Sequence, residues 1–244
     1  DGIIWTLRAL PLVSGWWGVA WNGSVFCAVS RNGTPTRNIA ATSPDGSTWT
    51  RRTLPSDAQW WAIEWNGSVF CIVGIGGTIG ATSPDGITWT QRTLPTYEGN
   101  RIGIAWNGTV FCVLVMGTNH ALTSPDGATW TQRTLPAVKN WQAVAWNGTV
   151  FCAVYSDAGP NPTCATSPDG ITWTSRAMGT VSGDNYYFDA ISWNGVNFIA
   201  TGGNDFGKFV LARSTDGITW SLSIDTSRTK AVRTIPKFLM FGTY

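Results

Sequence analysis

The chain has 244 residues, of which 43% are hydrophobic and 12% charged, and its formal net charge is +2 at pH 7. The nearly balanced charge excludes the basic field that nucleic-acid-binding proteins use, and no run approaches the roughly 18 consecutive apolar residues of a membrane span. We therefore expect neither nucleic-acid binding nor membrane insertion. The 28 glycines and 16 tryptophans are typical of many short strands joined by tight turns.

Two short phrases recur along the chain. Asp-Gly-x-x-Trp begins at six aspartates: Asp1, Asp45, Asp85, Asp126, Asp169 and Asp216. Trp-Asn-Gly begins at five tryptophans: Trp21, Trp65, Trp106, Trp146 and Trp193. The Trp-Asn-Gly phrases follow one another after 44, 41, 40 and 47 residues. A period of roughly 40–50 residues indicates a solenoid, a propeller or an array.

One repeat, residues 141–176, shows how the elements follow one another. We predict strands over 142–146, 149–155, 164–166 and 171–176. Asn147-Gly148 separates the first two strands, and Asn-Gly between apolar runs predicts a type I′ turn in which both central residues have positive φ. Pro168-Asp169-Gly170 separates the last two strands, where Pro suits the second position of a type I turn and Gly the left-handed residue that follows.

The first two strands of this repeat are apolar on both faces, with Val144 and Trp146 on one and Ala143 and Ala145 on the other. Stacked blades require burial on both faces, and no segment has a sustained helical period. We therefore predict an all-β fold, a β-propeller of four-stranded antiparallel blades arranged radially.

The number of blades follows from the repeats. Five are complete, over about 16–55, 60–95, 101–136, 141–177 and 188–224. Residues 1–10 match only a fourth strand, and residues 231–244 match only a first and a second strand. We predict a single domain with a sixth blade that both termini close. A five-bladed ring with extra terminal strands is the alternative.

The cysteines do not form the pattern of a disulfide framework. Four of them occupy the same place in successive repeats, within Phe-Cys: Cys27, Cys71, Cys112 and Cys152. Equivalent positions of different blades lie far apart, so we expect these thiols to be buried, reduced and part of the core. Cys164 is extra, and it approaches Cys152 only diagonally across a hairpin.

The segment Ser83-Pro84-Asp85-Gly86-Ile87-Thr88-Trp89 and its copies resemble the Asp-box, or BNR, repeat of sialidase-like propellers, usually written Ser-x-Asp-x-Gly-x-Thr-Trp. Here Asp and Gly are adjacent, and Thr215 replaces Pro in the last copy. The resemblance covers the whole chain. It implies that these aspartates are structural and lie on the face opposite the active site of such enzymes. The tandem repeats also resemble propeller domains of bacteriophage tail proteins and of lectins, which bind cell-surface glycans.

The residues that catalysis by such a fold needs are scarce. Sialidases use three arginines, a Tyr–Glu pair and an Asp acid, and their Arg-Ile-Pro signature is missing near the start of this chain. Glutamate occurs only at Glu64 and Glu98, and six of the fourteen acidic residues belong to Asp-Gly turns, whereas a glycosidase needs two facing carboxylates. His120, the single histidine, is predicted to lie in a loop. We predict that the chain is not an enzyme and has no catalytic residue, metal or cofactor; a degenerate glycosidase is an alternative.

The two ends of the propeller are expected to differ. The first-to-second and third-to-fourth turns share one end and barely vary, whereas the remaining loops share the other end and vary in length and content. Function concentrates in loops on a rigid scaffold, so the variable end is the predicted binding face. The candidate ligand-binding residues at that end are Trp16, Trp17, Trp60, Trp61, Arg101, Trp141, Phe188, Asp184, Asn185, Asn204 and Asp205.

The chemistry of these candidates favours sugars. Aromatic rings offer large contact area and Trp adds an N–H donor, while a sugar presents apolar C–H faces and hydroxyl groups. The alternative for each aromatic is a wedge between blades; adjacent strand residues face opposite ways, so in Trp60-Trp61 one ring can be a wedge while the other reaches the loop surface. We predict a lectin-like module with several similar glycan sites, with cell-surface glycans and other protein subunits as partners, in an extracellular or virion-associated location. A structural or protein-interaction propeller, such as a virion or tail component, is the alternative.

Overall fold

The structure, a computed structural model, describes residues 6–12, 14–32, 37–96, 99–180, 184–204 and 206–225. Within these ranges the chain forms five antiparallel sheets of four strands, named blades A to E in chain order. Sequential strands pair with one another in every sheet. The fold is therefore all-β, and the described ranges contain no helix of the length and apolar character needed to cross a membrane.

The strands have the following bounds. Blade A contains β1 Gly15–Trp21, β2 Phe26–Asn32, β3 Ile39–Ser43 and β4 Thr50–Thr53. Blade B contains β5 Trp60–Trp65, β6 Phe70–Gly74, β7 Ile79–Ser83 and β8 Thr90–Thr93. Blade C contains β9 Arg101–Trp106, β10 Phe111–Val115, β11 Thr118–Ser124 and β12 Thr131–Lys139. Blade D contains β13 Trp141–Trp146, β14 Phe151–Tyr155, β15 Thr163–Ser167 and β16 Thr174–Ala177. Blade E contains β17 Tyr186–Trp193, β18 Phe198–Asn204, β19 Phe209–Ser214 and β20 Ser221–Asp225.

The hydrophobic core lies between the blades. Between blades A and B, Val29 and Ala40 of blade A belong to the same buried cluster as Trp60, Phe70 and Ile72 of blade B. Equivalent clusters join B to C, C to D and D to E. The first strands of successive blades lie beside one another, so they are the inner strands. This arrangement explains why both faces of the first two strands are apolar.

The predicted closing blade falls mostly outside the described residues, because residues 1–5 and 226–244 are not among them. Residues 6–10, which the structure does describe, form no strand. Five stacked four-stranded sheets are therefore what the described residues establish.

The Asn-Gly turns differ from the prediction. In the turn of blade D, Trp146 pairs with Phe151, so the loop contains four residues rather than two. Gly148 has φ +99°, but no residue other than glycine has positive φ among those described. The type I′ prediction is wrong because Asn147 supplies a side-chain acceptor instead: its Oδ1 accepts the backbone N–H of Thr149 and Val150 at 2.9 and 2.8 Å. Such an Asx turn removes the need for a second left-handed residue.

The Asp-Gly turns contain a hydrogen-bond set that repeats in all five blades. In blade C, Asp126 Oδ1 accepts the N–H of Ala128 and of Thr129 at 2.8 Å each and the hydroxyl of Ser124 at 3.0 Å. These N–H donors, Thr129 foremost, hold the pKa of Asp126 below its ordinary value, since they favour the charged carboxylate. Gly127 has φ +72°, and a side chain there would also meet Thr82 of the preceding blade. The predicted left-handed glycine is confirmed.

The recurrent tryptophans pack around one phenylalanine in each blade. In blade D, the ring of Phe151 lies 4.8 Å from that of Trp146 and 6.3 Å from that of Trp173, measured between centroids. The indole N–H of Trp173 donates to the carbonyl of Gly170 at 3.0 Å. Both recurrent classes of tryptophan therefore stabilise the hairpins, which leaves the tryptophans at the strand entrances for other roles.

Two further predictions concern the cysteines and the histidine. All five cysteines are buried and none is in a disulfide, as predicted. Burial raises the pKa of the Cys27 thiol to about 12. His120 does not lie in a loop, because it belongs to β11 and pairs with Thr134 of β12. Its ring Nδ1 lies 2.7 Å from Gln132 Nε2 on the outer strand.

Candidate functional site

The two ends of the blade stack carry different kinds of connection. Asn147, in an Asn-Gly turn, donates from Nδ2 to the carbonyl of Thr215 at 3.3 Å, next to the Asp-Gly turn of the neighbouring blade. The two classes of turn therefore share one end, which we call the turn end. The loops that precede the first strands and follow the second strands lie at the other end, the loop end, where the sequence varies between blades.

A β-bulge interrupts the inner strand of every blade at the same place, near the loop end. In blade B, Trp60 pairs with Gly74 and Ala62 with Val73, so Trp61 has no opposite residue. The corresponding residues of the five blades, which we call the bulge row, are Trp17, Trp61, Ile102, Gln142 and Asp189. Bulges often redirect a side chain beside a functional site. These five positions share one pairing irregularity but carry four types of side chain that differ widely in chemistry.

The residues just before the bulge pack between blades. Trp60, Trp141 and Phe188 are 0%, 2% and 1% exposed, and each belongs to the core cluster shared with the preceding blade. Trp16 is half-buried, and its indole N–H donates to the carbonyl of Leu12 at 3.1 Å. Arg101 begins β9 and pairs with Val115. In this structure the three buried rings therefore occupy the position that the wedge alternative describes.

The side chain of Trp61 has a different environment. Its ring lies 4.3 Å from that of Trp17, centroid to centroid, with an angle of 43° between the planes. The guanidinium carbon of Arg31 lies 4.4 Å from the Trp61 centroid and 5.3 Å from that of Trp17. Arg31 Nε also donates to Gln59 Oε1 at 3.4 Å. All four residues keep part of their surface accessible. We call these four residues the Trp–Arg cluster.

The rest of the bulge row continues around the inner strands. Gln142 donates from Nε2 to Ser156 Oγ at 2.8 Å and to Met116 Sδ, in the preceding blade, at 3.6 Å. Ile102 is buried, whereas Asp189 is exposed. Gln142 thus contacts residues that follow second strands, and Trp17 and Trp61 contact Arg31 near the end of β2. The row changes from aromatic in blades A and B to amide and carboxylate in blades D and E.

The polar candidates from the sequence gather partly in blade E. Asp184 Oδ2 lies 2.5 Å from Lys208 Nζ and accepts the hydroxyl of Tyr186 at 3.2 Å. The hydrogen bond that Lys208 donates lowers the pKa of Asp184, because it favours the charged carboxylate. Asn204 is buried, and its Oδ1 accepts the N–H of Phe206 and of Lys208, so it shapes its own loop.

The two remaining polar candidates are Asn185 and Asp205. Asn185 is exposed, and Asp205 lies outside the described residues. Within the described part of the chain no group of three His, Cys, Asp or Glu side chains has the arrangement of a metal site.

Sequence reasoning identified Trp17 and Trp61 as candidates but not Arg31, Gln142 or Asp189. A signal was present, since the residue four places before each Trp-Asn-Gly is of four different types in the five repeats. Packing between blades fixes the residue type at positions that repeat. A position that varies within such a strand is less constrained by that packing. Arg31 carried no such signal, because its contact with the bulge row follows from the register of β1 with β2.

Comparison with known proteins agrees with this architecture. A family model described as DUF6242 beta propeller domain matches residues 13–139, about half of the chain. No curated protein matches the sequence. Among solved structures, a virginiamycin B lyase from Staphylococcus aureus, determined with quinupristin, has a TM-score of 0.74 at 12% identity, over 92% of this chain and 74% of that chain.

Two other solved structures have a similar fold. A GH74 xyloglucanase from Xanthomonas campestris has a TM-score of 0.61 at 16% identity, over 85% of this chain and 38% of that chain. A chain of a nidogen/laminin complex has a TM-score of 0.63 at 10% identity, over 85% of this chain and 84% of that chain. At these identities the likeness shows the fold alone.

Proposed function

The chain belongs to the DUF6242 beta propeller family, and we propose that it is a carbohydrate-binding protein whose site lies at the loop end, on the Trp–Arg cluster. The observation that carries the proposal is the contact of Trp17 with Trp61, two bulge residues of neighbouring blades whose rings are not absorbed into the interblade core. Large aromatic surface that remains accessible beside polar groups is the usual composition of a small-ligand site.

The polar groups around the rings match the hydroxyl groups of a sugar. Gln59 carries an amide that donates and accepts, and Arg31 brings several N–H donors. An indole face accepts the C–H face of a pyranose, while these polar groups fix its orientation. Because only blades A and B carry tryptophan at the bulge, the geometry favours one asymmetric site per chain over several similar sites.

We also propose that the protein binds without catalysis. Three of the described carboxylates around the loop end are already engaged: Asp57 accepts the N–H of Arg37 at 2.9 Å, Asp157 accepts from Asn140, and Asp184 is paired with Lys208. A glycosidase needs two carboxylates facing one bond. The fold similarity to a xyloglucanase supports only the statement that a propeller of this kind can accommodate a sugar polymer.

Two finer parts of the sequence interpretation belong to the same proposal. We interpret the Asp-Gly turns as Asp-box turns, because each of the five described copies closes on its own aspartate and indole with the same hydrogen bonds. We assign residues 231–244 and 1–10 to a sixth blade between blades E and A. The partners proposed are cell-surface glycans, with an extracellular or virion-associated location.

A glycan array tests the proposal. We expect the wild type to bind a restricted set of glycans and the double variant Trp17→Ala/Trp61→Ala to bind none of them. Trp21→Ala is the matched control, because it removes a partly exposed indole at the turn end and should leave the binding profile intact. A wild-type array without any signal, together with a tight protein partner, would instead support the protein-interaction alternative.

A further inference from the structure

We propose that the ligand of the Trp–Arg cluster is an acidic saccharide, whose carboxylate pairs with the guanidinium of Arg31. This inference rests on the proposed function and names the class of sugar. Arg31 is half-buried beside two indole rings, with its guanidinium carbon 5.3 and 4.4 Å from their centroids. Among the described residues, no carboxylate lies within 4 Å of this guanidinium.

The charge of Arg31 contrasts with the lysines of the same end. Lys139 lies 3.8 Å from Asp157, and Lys208 lies 2.5 Å from Asp184, so each of these cations has an anionic partner. The only polar side-chain contact of Arg31 in the described part of the chain is with the neutral amide of Gln59 at 3.4 Å. A partly desolvated cation without a counter-charge is costly for the free protein, and an anionic ligand would remove that cost.

The geometry leaves the hydrogen-bonding edge of the guanidinium available. The centroids of the two indole rings are 4.3 Å apart, so both rings lie on one side of the guanidinium. A guanidinium placed over indole rings can still donate its in-plane N–H groups past them. One of the five N–H groups faces Gln59. The other four can serve a planar carboxylate in the two-bond arrangement that arginine favours. The rings also exclude water around this pair, which strengthens its electrostatic attraction.

The bulge row gives the site a polarity that orients such a ligand. Arg31 lies beside the bulge residues of blades A and B, whereas Asp189 occupies the bulge of blade E. A uronic acid has a carboxylate at one side of its ring and hydroxyl groups elsewhere. Its carboxylate would therefore point toward Arg31, beside blades A and B.

A matched pair of ligands tests the inference. We would titrate the protein with a trimer of galacturonic acid and with its methyl ester, which has the same skeleton without the charge. We expect the acid to bind at least tenfold more tightly. In Arg31→Gln the two should bind equally, and Arg31→Lys should restore only part of the preference, because lysine keeps the charge but loses the two-bond geometry. Arg51→Gln, on the exposed face of the outer strand of the same blade, is the control and should keep the full preference.

The outcomes separate this inference from the proposed function. Equal binding of acid and ester by the wild type would overturn the acidic preference while leaving carbohydrate binding in place. Equal loss of both ligands in Arg31→Gln, with an unchanged melting temperature, would also overturn it. Binding of a triaspartate peptide as tightly as the sugar acid would contradict the saccharide class. Absence of binding by every sugar, neutral or acidic, would overturn the proposed function itself.

Discussion

Trp17 and Trp61 lie in different blades, yet their ring centroids are 4.3 Å apart. The contact exists because both residues occupy the bulge of an inner strand, and inner strands of successive blades are neighbours. A bulge leaves its residue without an opposite partner in the sheet. The same displacement brings Arg31 onto both rings. Because the same bulge occurs in neighbouring blades, residues from two repeats come together in the Trp–Arg cluster.

The first prediction separates the adjacent Trp60 and Trp61. Trp60→Ala should lower the free energy of unfolding by about 3–5 kcal/mol, because a fully buried ring between blades A and B is lost. Trp61→Ala should cost markedly less stability and abolish sugar binding. Thermal unfolding and a binding titration on the two variants measure the difference.

A conservative variant controls this comparison. The indole N–H of Trp60 has no hydrogen-bond partner among the described residues, whereas those of Trp16 and Trp141 donate to a carbonyl four residues before them. Trp60→Phe should therefore be far milder than Trp60→Ala and retain binding. Strong destabilisation by Trp61→Ala, with binding intact in the folded fraction, would show that this ring is also a wedge.

The second prediction concerns the turn end. Asp126→Ala removes the acceptor of two backbone N–H groups and should lower stability by about 1–3 kcal/mol. Asp126→Asn keeps an oxygen at the same place and should cost less. Sugar affinity per folded molecule should not change in either variant. Loss of affinity without loss of stability would transfer the functional face to the turn end.

Much of this fold could be predicted from the sequence, because packing and turn geometry repeat with it. The positive φ at position 127 requires glycine, and the two indole rings that flank Phe151 favour phenylalanine at that position. These constraints recur in each blade and therefore show as a period. The Asn-Gly turn type was predicted wrongly, since the side chain of Asn147 provides an acceptor that a rule based on two central residues does not consider.

The third prediction concerns Glu64, which occupies an inner-strand position that is Ala20, Ala105 or Ala145 in three other blades. Burial raises its pKa to about 7 from an ordinary value of 4.5. The folded state then binds more protons than the unfolded state between these values, so stability should fall as pH rises from 4.5 to 7 and stay level above 7.

The size of this effect and its control follow from linkage. A shift of this order corresponds to about 2–3 kcal/mol between pH 4.5 and 7. Glu64→Ala, which restores the residue of the other blades, should remove that part of the pH dependence. Urea unfolding of both proteins across this pH range measures it. Parallel curves for the two proteins would mean that Glu64 ionises at its ordinary pKa.

The fourth prediction concerns the thiols. All five cysteines are buried, and burial raises the pKa values of Cys27, Cys71, Cys112 and Cys152, which disfavours the reactive thiolate. A thiol reagent should react with almost none of them in the folded protein and with nearly all five in denaturant. Recovery of intact disulfides by non-reducing mass spectrometry would contradict this.

The site was harder to predict than the fold. The bulge row depends on strand register: the sequence shows that the residue type varies at this position, but it does not show that the strand bulges there. The pairing of Arg31 with Trp61 joins the end of β2 to the start of β5 in the next blade. Such a contact follows from how blades stack, which the repeat period alone does not specify.

A calorimetric titration with the tightest ligand from a glycan array tests the central claim most directly. The account predicts one site per chain, an affinity at least tenfold lower in Trp61→Ala (about 1.4 kcal/mol), and an unchanged affinity in Trp21→Ala at the turn end. A stoichiometry of four or five sites per chain, or an affinity that Trp61→Ala leaves unchanged, would contradict binding at the Trp–Arg cluster.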